Sequence, residues 1–229
     1  MFAPNWQGAR GRVYRVGQMT TAGDGDHADA AMFEVNAQSK PEAAIVAALG
    51  RRSIVLVGMM GAGKSSVGRR LAARLGLVFV DADNEIEAAA GMSIADIFSA
   101  HGEAYFRSGE ARVIARLLEG GPQVMATGGG AMMNPDTRAA IGAKAVSIWL
   151  NAEYDVLLRR VKRRTDRPML KTADPAETLR RLLLERNPVY AQADVTLHSR
   201  DAPHEAIVNE AIAALAAHFG LAAQPAVGL

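Results

Sequence analysis

The strongest constraint on this chain is the octapeptide GMMGAGKS at residues 58–65. Its spacing is that of a phosphate-binding loop, in which glycines let the backbone curl until several N–H groups point at one anion. The run before it, residues 53–57, is apolar and β-branched and predicts a buried strand. The run after it, residues 66–75, has apolar residues at helical spacing. Strand, loop and helix in succession predict a P-loop at a helix N-terminus.

The loop predicts contacts to ATP and to Mg²⁺. Lys64 is expected to reach the β- and γ-phosphates, and the hydroxyl of Ser65 is expected to ligate Mg²⁺. The predicted ATP-binding residues in and beside the loop are Gly61, Ala62, Gly63, Lys64, Ser65 and Ser66. The motif leaves open what happens to the nucleotide.

Length and composition narrow the class of protein. The 229 residues suit one domain. There is no cysteine, which excludes disulfides, thiolate metal sites and cysteine catalysis, and which fits a reducing compartment, so we expect the cytoplasm. No apolar run approaches the roughly 20 residues of a membrane span, so we expect no membrane partner. A net charge of +2 is too small to indicate a general polyanion binder.

The chain is predicted to have one folded domain with two tails. Residues 1–45 lack periodicity and are interpreted as a mobile extension, with a short helix near residues 41–49. An organellar transit peptide is one alternative for its arginine-bearing start, although the acidic residues that follow argue against it, and a true start at Met19 is another. The folded domain is predicted over residues 46–219, and residues 220–229 are expected to form a loose tail.

From residue 53 onward, strand-like runs alternate with helical patterns. Predicted strands are residues 53–57, 77–80, 123–127, 145–150 and 195–198. Predicted helices follow the P-loop and lie at residues 84–90, 93–100, 102–118, 152–163, 175–187 and 203–219. This alternation predicts an α/β fold with a mostly parallel sheet covered on both faces. Ligands of such sheets bind beyond the carboxyl ends of the strands, so functional residues are expected there.

Carboxylates and glycines stand at two of the predicted strand ends. Asp81 and Asp83 follow the second strand, and alternate residues of an extended segment point opposite ways, so the two can serve different partners. Asp81 is expected to hold Mg²⁺ opposite Ser65, and Asp83 to contact an acceptor molecule; helix capping is the alternative for either. Three glycines, residues 128–130, end the third strand, where a ligand can approach the backbone closely, and a plain turn is the alternative.

Two arginines in predicted helices complete the candidate pocket. Arg107 lies three residues before Glu110, so an ordinary ion pair is available. The functional interpretation is that Glu110 holds the guanidinium while its other donors bind an anionic substrate group. Arg186 stands near the end of a helix that Pro188 is expected to terminate, a position that the helix dipole alone would favour. An acceptor held by two arginines and touched by a carboxylate would be a small hydroxylated acid.

Basic residues cluster at positions 159–167, before a polar loop that contains Pro168. A loop that carries Arg167 can close over a phosphoryl-transfer site, exclude water and place positive charge on the transferring group. A solvated helix face and a nucleic-acid patch are the alternatives. The cluster contains no aromatic residue, which argues against nucleic acid as a partner.

Taken in order, the segments GMMGAGKS, DAD, FRSGE, TGGG, RTDRPML and RNPVY make the chain resemble the shikimate kinase family over residues 53–219. A P-loop alone is shared by a vast superfamily, whereas the ordered set is far more specific. The resemblance implies a P-loop NTPase, nucleoside-monophosphate-kinase-like fold of three layers, with a five-stranded parallel sheet and a mobile lid at about residues 162–174. It implies ATP- and Mg²⁺-dependent phosphorylation of the 3-hydroxyl of shikimate, a step toward chorismate and the aromatic amino acids. We expect a monomer with ATP and shikimate as ligands.

The resemblance also implies which residues contact the acceptor. Asp83 matches the contact to the shikimate hydroxyls, and Arg107 and Arg186 match the arginines that hold the carboxylate. Gly129 and Gly130 lie in the matching glycine turn.

For the nucleotide, Arg167 matches a lid arginine that reaches phosphate and acceptor, so Lys64, Asp83 and Arg167 are the predicted catalytic residues. Arg160 and Pro203 match, by spacing alone, the pair that flanks the adenine. The chain departs from the family pattern in its N-terminal extension and at Ser66, where threonine is frequent.

Two other functions stay open from the residues alone. One is a kinase for another small acceptor, such as gluconate or a nucleotide. The other is a nucleotide-binding regulatory module without catalysis, against which the intact Lys64, Ser65 and Asp81 argue.

Overall fold

The computed structural model describes residues 41–162 and 174–221. The strands in this part of the chain are β1 (Ser53–Val57), β2 (Val78–Asp81), β3 (Gln123–Ala126), β4 (Ala145–Ala152) and β5 (Val195–Ser199). The helices are α1 (Pro41–Leu49), α2 (Lys64–Leu75), α3 (Ala82–Ala90), α4 (Ile94–Leu118), α5 (Pro135–Lys144), α6 (Tyr154–Lys162), α7 (Pro175–Tyr190) and α8 (His204–His218), with a 3₁₀ turn at Ala131–Met133.

The five strands form one parallel sheet in the order β2-β3-β1-β4-β5. β1 lies at its centre, and all five of its residues are buried, as its unbroken apolar run predicts. Helices flank the sheet, so the predicted α/β fold with a five-stranded parallel sheet is confirmed. The strand order brings the carboxyl ends of β1, β2 and β3 to one edge, where the P-loop, Asp81 and the glycine turn follow them.

Two apolar clusters support this edge. The larger packs both faces of the sheet and includes Ile54, Leu56 and Ile148, each fully buried. The smaller joins α3 to α4 through Ile86, Ile97, Phe106 and others. Because α3 follows β2 directly, this second cluster fixes α4 over the strand ends and carries Arg107 toward them.

The folded part of the chain begins earlier than predicted. The expected short helix is present as α1, but its Ile45 and Leu49 lie in the main core, so the predicted domain boundary at residue 46 is too late. Residues 1–40 and 222–229 lie outside the described residues. No helix within 41–162 or 174–221 combines the length and the apolar character that crossing a bilayer requires.

One predicted helix ends later than expected, and one helix was not predicted. α7 runs through Pro188 to Tyr190 because Leu182, Arg186 and Tyr190 are all buried on one face, and this packing outweighs the lost backbone hydrogen bond. α5 was not predicted, although Asn134 caps it by accepting from the N–H groups of Asp136 and Thr137, and Pro135 occupies its first turn.

The predicted break between residues 100 and 102 is present. Gly102, inside α4, has φ 79° and ψ 174°, which is a non-helical conformation that separates two helical segments. The second segment carries Arg107 and Glu110.

Candidate active site

All three glycines of the P-loop have a positive φ, a conformation that favours glycine. Gly63 has φ 98° and ψ 12°, in the left-handed region, directly before Lys64, the first residue of α2. Gly58 has φ 129°, and a Cβ there would lie 2.7 Å from the carbonyl oxygen of Leu150. The loop therefore packs against the end of β4, and the N-terminus of α2 faces the cleft described below.

Lys64 is held over the loop by the loop itself. Its ammonium donates to the carbonyl oxygens of Gly58 at 2.8 Å and Met59 at 3.0 Å. The side chain is buried, with 9% of its surface exposed. These contacts fix a positive charge above a ring of backbone groups, which suits the terminal phosphates of a nucleotide.

Asp81 caps α3 and also contacts Ser65, the other residue predicted to bind Mg²⁺. Its Oδ2 accepts a hydrogen bond from the Ser65 hydroxyl at 2.7 Å, and its Oδ1 accepts from the N–H of Asp83 at 3.2 Å, which caps α3. Functional pairing and helix capping are compatible because each uses a different carboxylate oxygen. Ser65 and Asp81 thus place two side-chain oxygen atoms side by side in the wall of the cleft described next.

A cleft of about 880 Å³ runs along the P-loop. Its wall includes the P-loop and strand-end residues Gly61, Gly63, Lys64, Ser65, Ser66, Asp81 and Asp83, together with Arg160, Asp201, Ala202 and His204. This volume falls within the roughly 300–1,000 Å³ of small-molecule and cofactor sites. Predicted residue Pro203 is the N-cap of α8, between two residues of the wall, and neither Asp201 nor His204 was singled out from the sequence.

Arg160, in the wall of the cleft, is hydrogen-bonded to the P-loop. Its Nη1 donates to the Gly61 carbonyl at 3.3 Å and to the Ser199 hydroxyl oxygen at 3.1 Å. Ser199 in turn donates to the carbonyl of Ala62 at 2.7 Å. Predicted residue Ala62 is fully buried and therefore acts through its backbone.

A second, smaller pocket of about 90 Å³ opens beside this cleft. Its wall is formed by Met60, Asp83, Ile94, Phe98, Phe106, Arg107, Glu110, Gly128, Gly129, Gly130 and Arg186. All of the acceptor residues predicted from the sequence therefore line one cavity. Met60, Asp83, Ile94, Gly128 and Gly129 belong to the walls of both cavities, so the two are neighbours.

Arg107 is held by two carboxylates of its own helix. Its Nη1 donates to Glu110 Oε2 at 2.7 Å, and its Nη2 donates to Glu103 Oε1 at 3.2 Å. Glu103 was not given a role from the sequence, although it lies one helical turn before Arg107, where an ion pair is expected. A guanidinium with five N–H donors keeps further donors for an anion after these contacts.

Glu110 is the most deeply buried acid of the site. It is 1% exposed, and among the described residues its Oε1 finds no hydrogen-bond partner. Burial raises the pKa of the Glu110 carboxyl. The positive charge of Arg107 offsets part of this increase, and the negative charge of Asp83 raises the pKa further. The surroundings of Glu110 thus disfavour its negative charge, although Arg107 needs this charge as the partner of its ion pair. Because of this conflict, we expect substitutions at Glu110 to affect the site.

The glycine turn lies close to the side chains and backbone around it, so a side chain there would force its neighbours to move. A Cβ on Gly128 would lie 2.8 Å from Glu110 Oε1 and 2.9 Å from Asp83 Oδ1. Gly128 was not among the predicted contacts, yet it separates the two site carboxylates. Gly129 lies against the P-loop backbone, since a Cβ on it would be 3.3 Å from the N atom of Met60.

Arg186 reaches the pocket from α7. It is 5% exposed, and its Nη1 donates to the carbonyl of Gly129 at 3.2 Å. Among the described residues its Nε finds no partner. Predicted lid residue Arg167, with residues 163–173, lies outside the described residues.

The geometry joins a phosphate-binding loop to a pocket with two buried or half-buried arginines and an acid. A P-loop beside a separate anion-binding pocket is the arrangement of a small-molecule kinase, in which the nucleotide and its acceptor meet end to end.

Comparison with known proteins agrees with this class. The family model for shikimate kinase matches residues 60–216. A shikimate kinase of Bradyrhizobium diazoefficiens is 67% identical over 190 residues, which cover 82% of this chain and 92% of that protein. One from Rhodopseudomonas palustris is 64% identical over 188 residues, covering 82% of this chain and 92% of that protein.

Solved structures give the same result. The shikimate kinase of Acinetobacter baumannii in complex with shikimate superposes with a TM-score of 0.69 at 36% identity, covering 71% of this chain and 91% of that one. The enzyme of Aquifex aeolicus gives 0.64 at 34% identity, with 71% and 95% covered. The chain belongs to the shikimate kinase family.

Proposed function

We propose that this chain transfers the γ-phosphoryl group of ATP to the 3-hydroxyl of shikimate, giving shikimate 3-phosphate and ADP. The observation that carries the proposal is the shared wall between the two cavities. Asp83, Gly128 and Gly129 line both the P-loop cleft and the smaller pocket. We call the smaller one the arginine pocket, because Arg107 and Arg186 form part of its wall. A hydroxyl bound in the pocket would therefore face the phosphate end of the cleft, as in-line transfer requires.

The arginine pocket suits the acceptor's charge. Arg107 and Arg186 approach it from α4 and α7. Arg107 is anchored by Glu110 and Glu103, and Arg186 by the carbonyl oxygen of Gly129. A carboxylate on the ligand would accept their remaining donors in charge-assisted hydrogen bonds. Asp83 lines the same pocket, where it would accept hydrogen bonds from ligand hydroxyls and orient the attacking oxygen.

Lys64 would balance the negative charge of the transferring group from the P-loop side. Because the transition state of phosphoryl transfer is loose, positioning and charge matter more than a strong base, so a late proton transfer to Asp83 is sufficient. Arg167 is predicted to add charge from the lid and to exclude water when the lid closes.

The donor set at Ser65 and Asp81 fits Mg²⁺. No group of three or more His, Asp or Glu side chains forms a metal site in the described part of the chain. Mg²⁺ does not need one, since it usually keeps several waters and takes one or two protein oxygens together with phosphate oxygens. Ser65 Oγ and Asp81 Oδ2 would hold the ion there, and it would neutralise phosphate charge.

The direct test is ADP release with shikimate, with gluconate and with no acceptor. We expect release that depends on shikimate. ATP binding without acceptor-dependent release would support a regulatory module instead, and release with gluconate but not with shikimate would identify another kinase.

A matched pair of arginine variants tests the pocket itself. Arg107→Ala should raise the shikimate KM about 10- to 150-fold, the loss of one charge-assisted hydrogen bond, with little change in the ATP KM. Arg116→Ala is the control, because Arg116 lies on the same helix and pairs with Glu85 outside both cavities. Equal loss of both affinities in Arg107→Ala would reject the assigned role. A monomer is also predicted, and light scattering tests it.

A further inference from the structure

The hydroxyl of Tyr190 contacts both the acceptor pocket and the P-loop, and neither the sequence analysis nor the proposed reaction gives it a role. Tyr190 is the last residue of α7, one helical turn after Arg186 and on the same buried face. It is 1% exposed. Its hydroxyl donates to the carbonyl oxygen of Gly129, and the sulfur of Met59 lies 3.8 Å from the same hydroxyl.

The Gly129 carbonyl is therefore held from two sides by one helix. It accepts from Tyr190 Oη and from Arg186 Nη1, which together use both of its lone pairs. A trans peptide unit directs its C=O and the following N–H in opposite directions, and the described chain has no cis bond. Holding the carbonyl against α7 thus turns the N–H of Gly130 away from Tyr190. Gly130 itself lies against the guanidinium of Arg107, since a Cβ on it would be 2.5 Å from Nη1 and Nη2.

The ring of Tyr190 is fixed independently of its hydroxyl. It packs on Trp149 of β4, with ring centroids 6.1 Å apart. Burial raises the pKa of Tyr190 to about 12, with Arg186 lowering part of that rise, so the hydroxyl keeps its proton at any ordinary assay pH. A fixed ring with a permanent donor is suited to holding one carbonyl in one direction.

We propose that Tyr190 is a positioning residue for acceptor binding: its hydroxyl orients the Gly129–Gly130 peptide and the guanidinium of Arg186 for the carboxylate of the acceptor. This inference rests on the proposed function. Tyr190 is not part of the wall of either cavity, so its effect is transmitted through Gly129 and Arg186.

The test is Tyr190→Phe, which removes the hydroxyl and keeps the ring on Trp149. We expect the shikimate KM to rise about 3- to 10-fold, as for one lost neutral hydrogen bond, with the ATP KM unchanged. Tyr154→Phe is the control, since the Tyr154 hydroxyl also donates to a backbone carbonyl, that of Ala176 at 3.4 Å, but lines neither cavity. The control should leave both KM values unchanged.

A second measurement separates positioning from plain stability. The KM ratio of Tyr190→Phe to wild type should fall toward one for a shikimate analogue whose carboxylate is replaced by a hydroxymethyl group. An equal ratio for both acceptors, or a lowered Tm with an unchanged shikimate KM, would overturn the positioning role. If the wild type phosphorylates shikimate and Tyr190→Phe has the same shikimate KM, this inference alone is refuted. Absence of shikimate binding to the wild type, measured by calorimetry, would overturn both it and the proposed function.

Discussion

The guanidinium of Arg107 rests directly on Gly130. A Cβ added to Gly130 would lie 2.5 Å from both Nη1 and Nη2 of Arg107, which is closer than real Cβ contacts come. The guanidinium cannot simply swing aside, because Glu110 and Glu103 hold it by hydrogen bonds from the same helix. The absence of a side chain at residue 130 is therefore what gives Arg107 its place in the pocket.

Gly130→Ala should consequently displace Arg107 from the acceptor. We expect the shikimate KM to rise about 10-fold or more, approaching the effect of removing the arginine's hydrogen bond, while the ATP KM stays close to wild type. Steady-state kinetics with each substrate varied in turn measures this. Gly142→Ala is the control, since nothing lies within 4 Å of a Cβ there. A Gly130→Ala enzyme with a normal shikimate KM would mean that the guanidinium has another productive position.

Lys64→Ala should abolish most of the turnover. The substitution removes a buried positive charge from the phosphate end of the cleft, and losing one preorganised donor of this kind typically costs about 10²- to 10³-fold in kcat. The rate of ADP release at saturating substrates is the measurement. Lys144→Ala is the control, because Lys144 pairs with Glu119 at the surface and lines neither cavity. Near-normal kcat in Lys64→Ala would contradict the charge argument.

Two substitutions at Asp81 should separate its roles. Asp81→Asn keeps a good N-cap for α3, so stability should change little, but it removes the charge beside Ser65, so more Mg²⁺ should be needed for half-maximal activity. Asp81→Ala loses both roles and should lower stability by a further ~1 kcal/mol. Mg²⁺ titrations and urea unfolding of the three proteins measure the two effects. An Asn variant with wild-type Mg²⁺ dependence would remove Asp81 from the proposed metal site.

Glu110→Gln should stabilise the fold increasingly as the pH rises. The pKa of Glu110 is raised by burial and by Asp83 above its ordinary value of 4.5, so the folded state disfavours the ionised form. Below pH 4.5 the carboxyl is protonated in both the folded and the unfolded state, and the two proteins should differ little. As the pH rises toward and through the raised folded pKa, only the wild type bears the cost of a buried charge.

Thermal unfolding of both proteins between pH 4 and pH 8 follows this difference. The variant's Tm minus that of the wild type should grow as the pH rises above 4.5 and should level off once the pH exceeds the raised folded pKa of Glu110. A difference that stays constant or shrinks with pH would show that Arg107 compensates fully for the burial of Glu110.

Much of the site follows from local patterns whose geometry is short-ranged. The P-loop spacing, the DAD segment and the three glycines each end a strand, and parallel strands bring their carboxyl ends to one edge. Arg107 and Arg186 line the predicted pocket together with Asp83 and the glycine turn. α5 and the ion pair between Glu103 and Arg107 were missed, although a capping asparagine and an i,i+4 spacing were visible for them.

By itself the sequence determined the parallel α/β fold, the phosphate-binding loop and the residue types that meet a nucleotide and a small hydroxylated acid, because each depends on a few neighbouring residues. Tertiary structure alone decided that Tyr190 meets Gly129, that Gly128 separates Asp83 from Glu110, and that α7 continues through Pro188. These contacts join residues far apart along the chain, and only the strand order and the packing of α4 and α7 against it determine which of them touch.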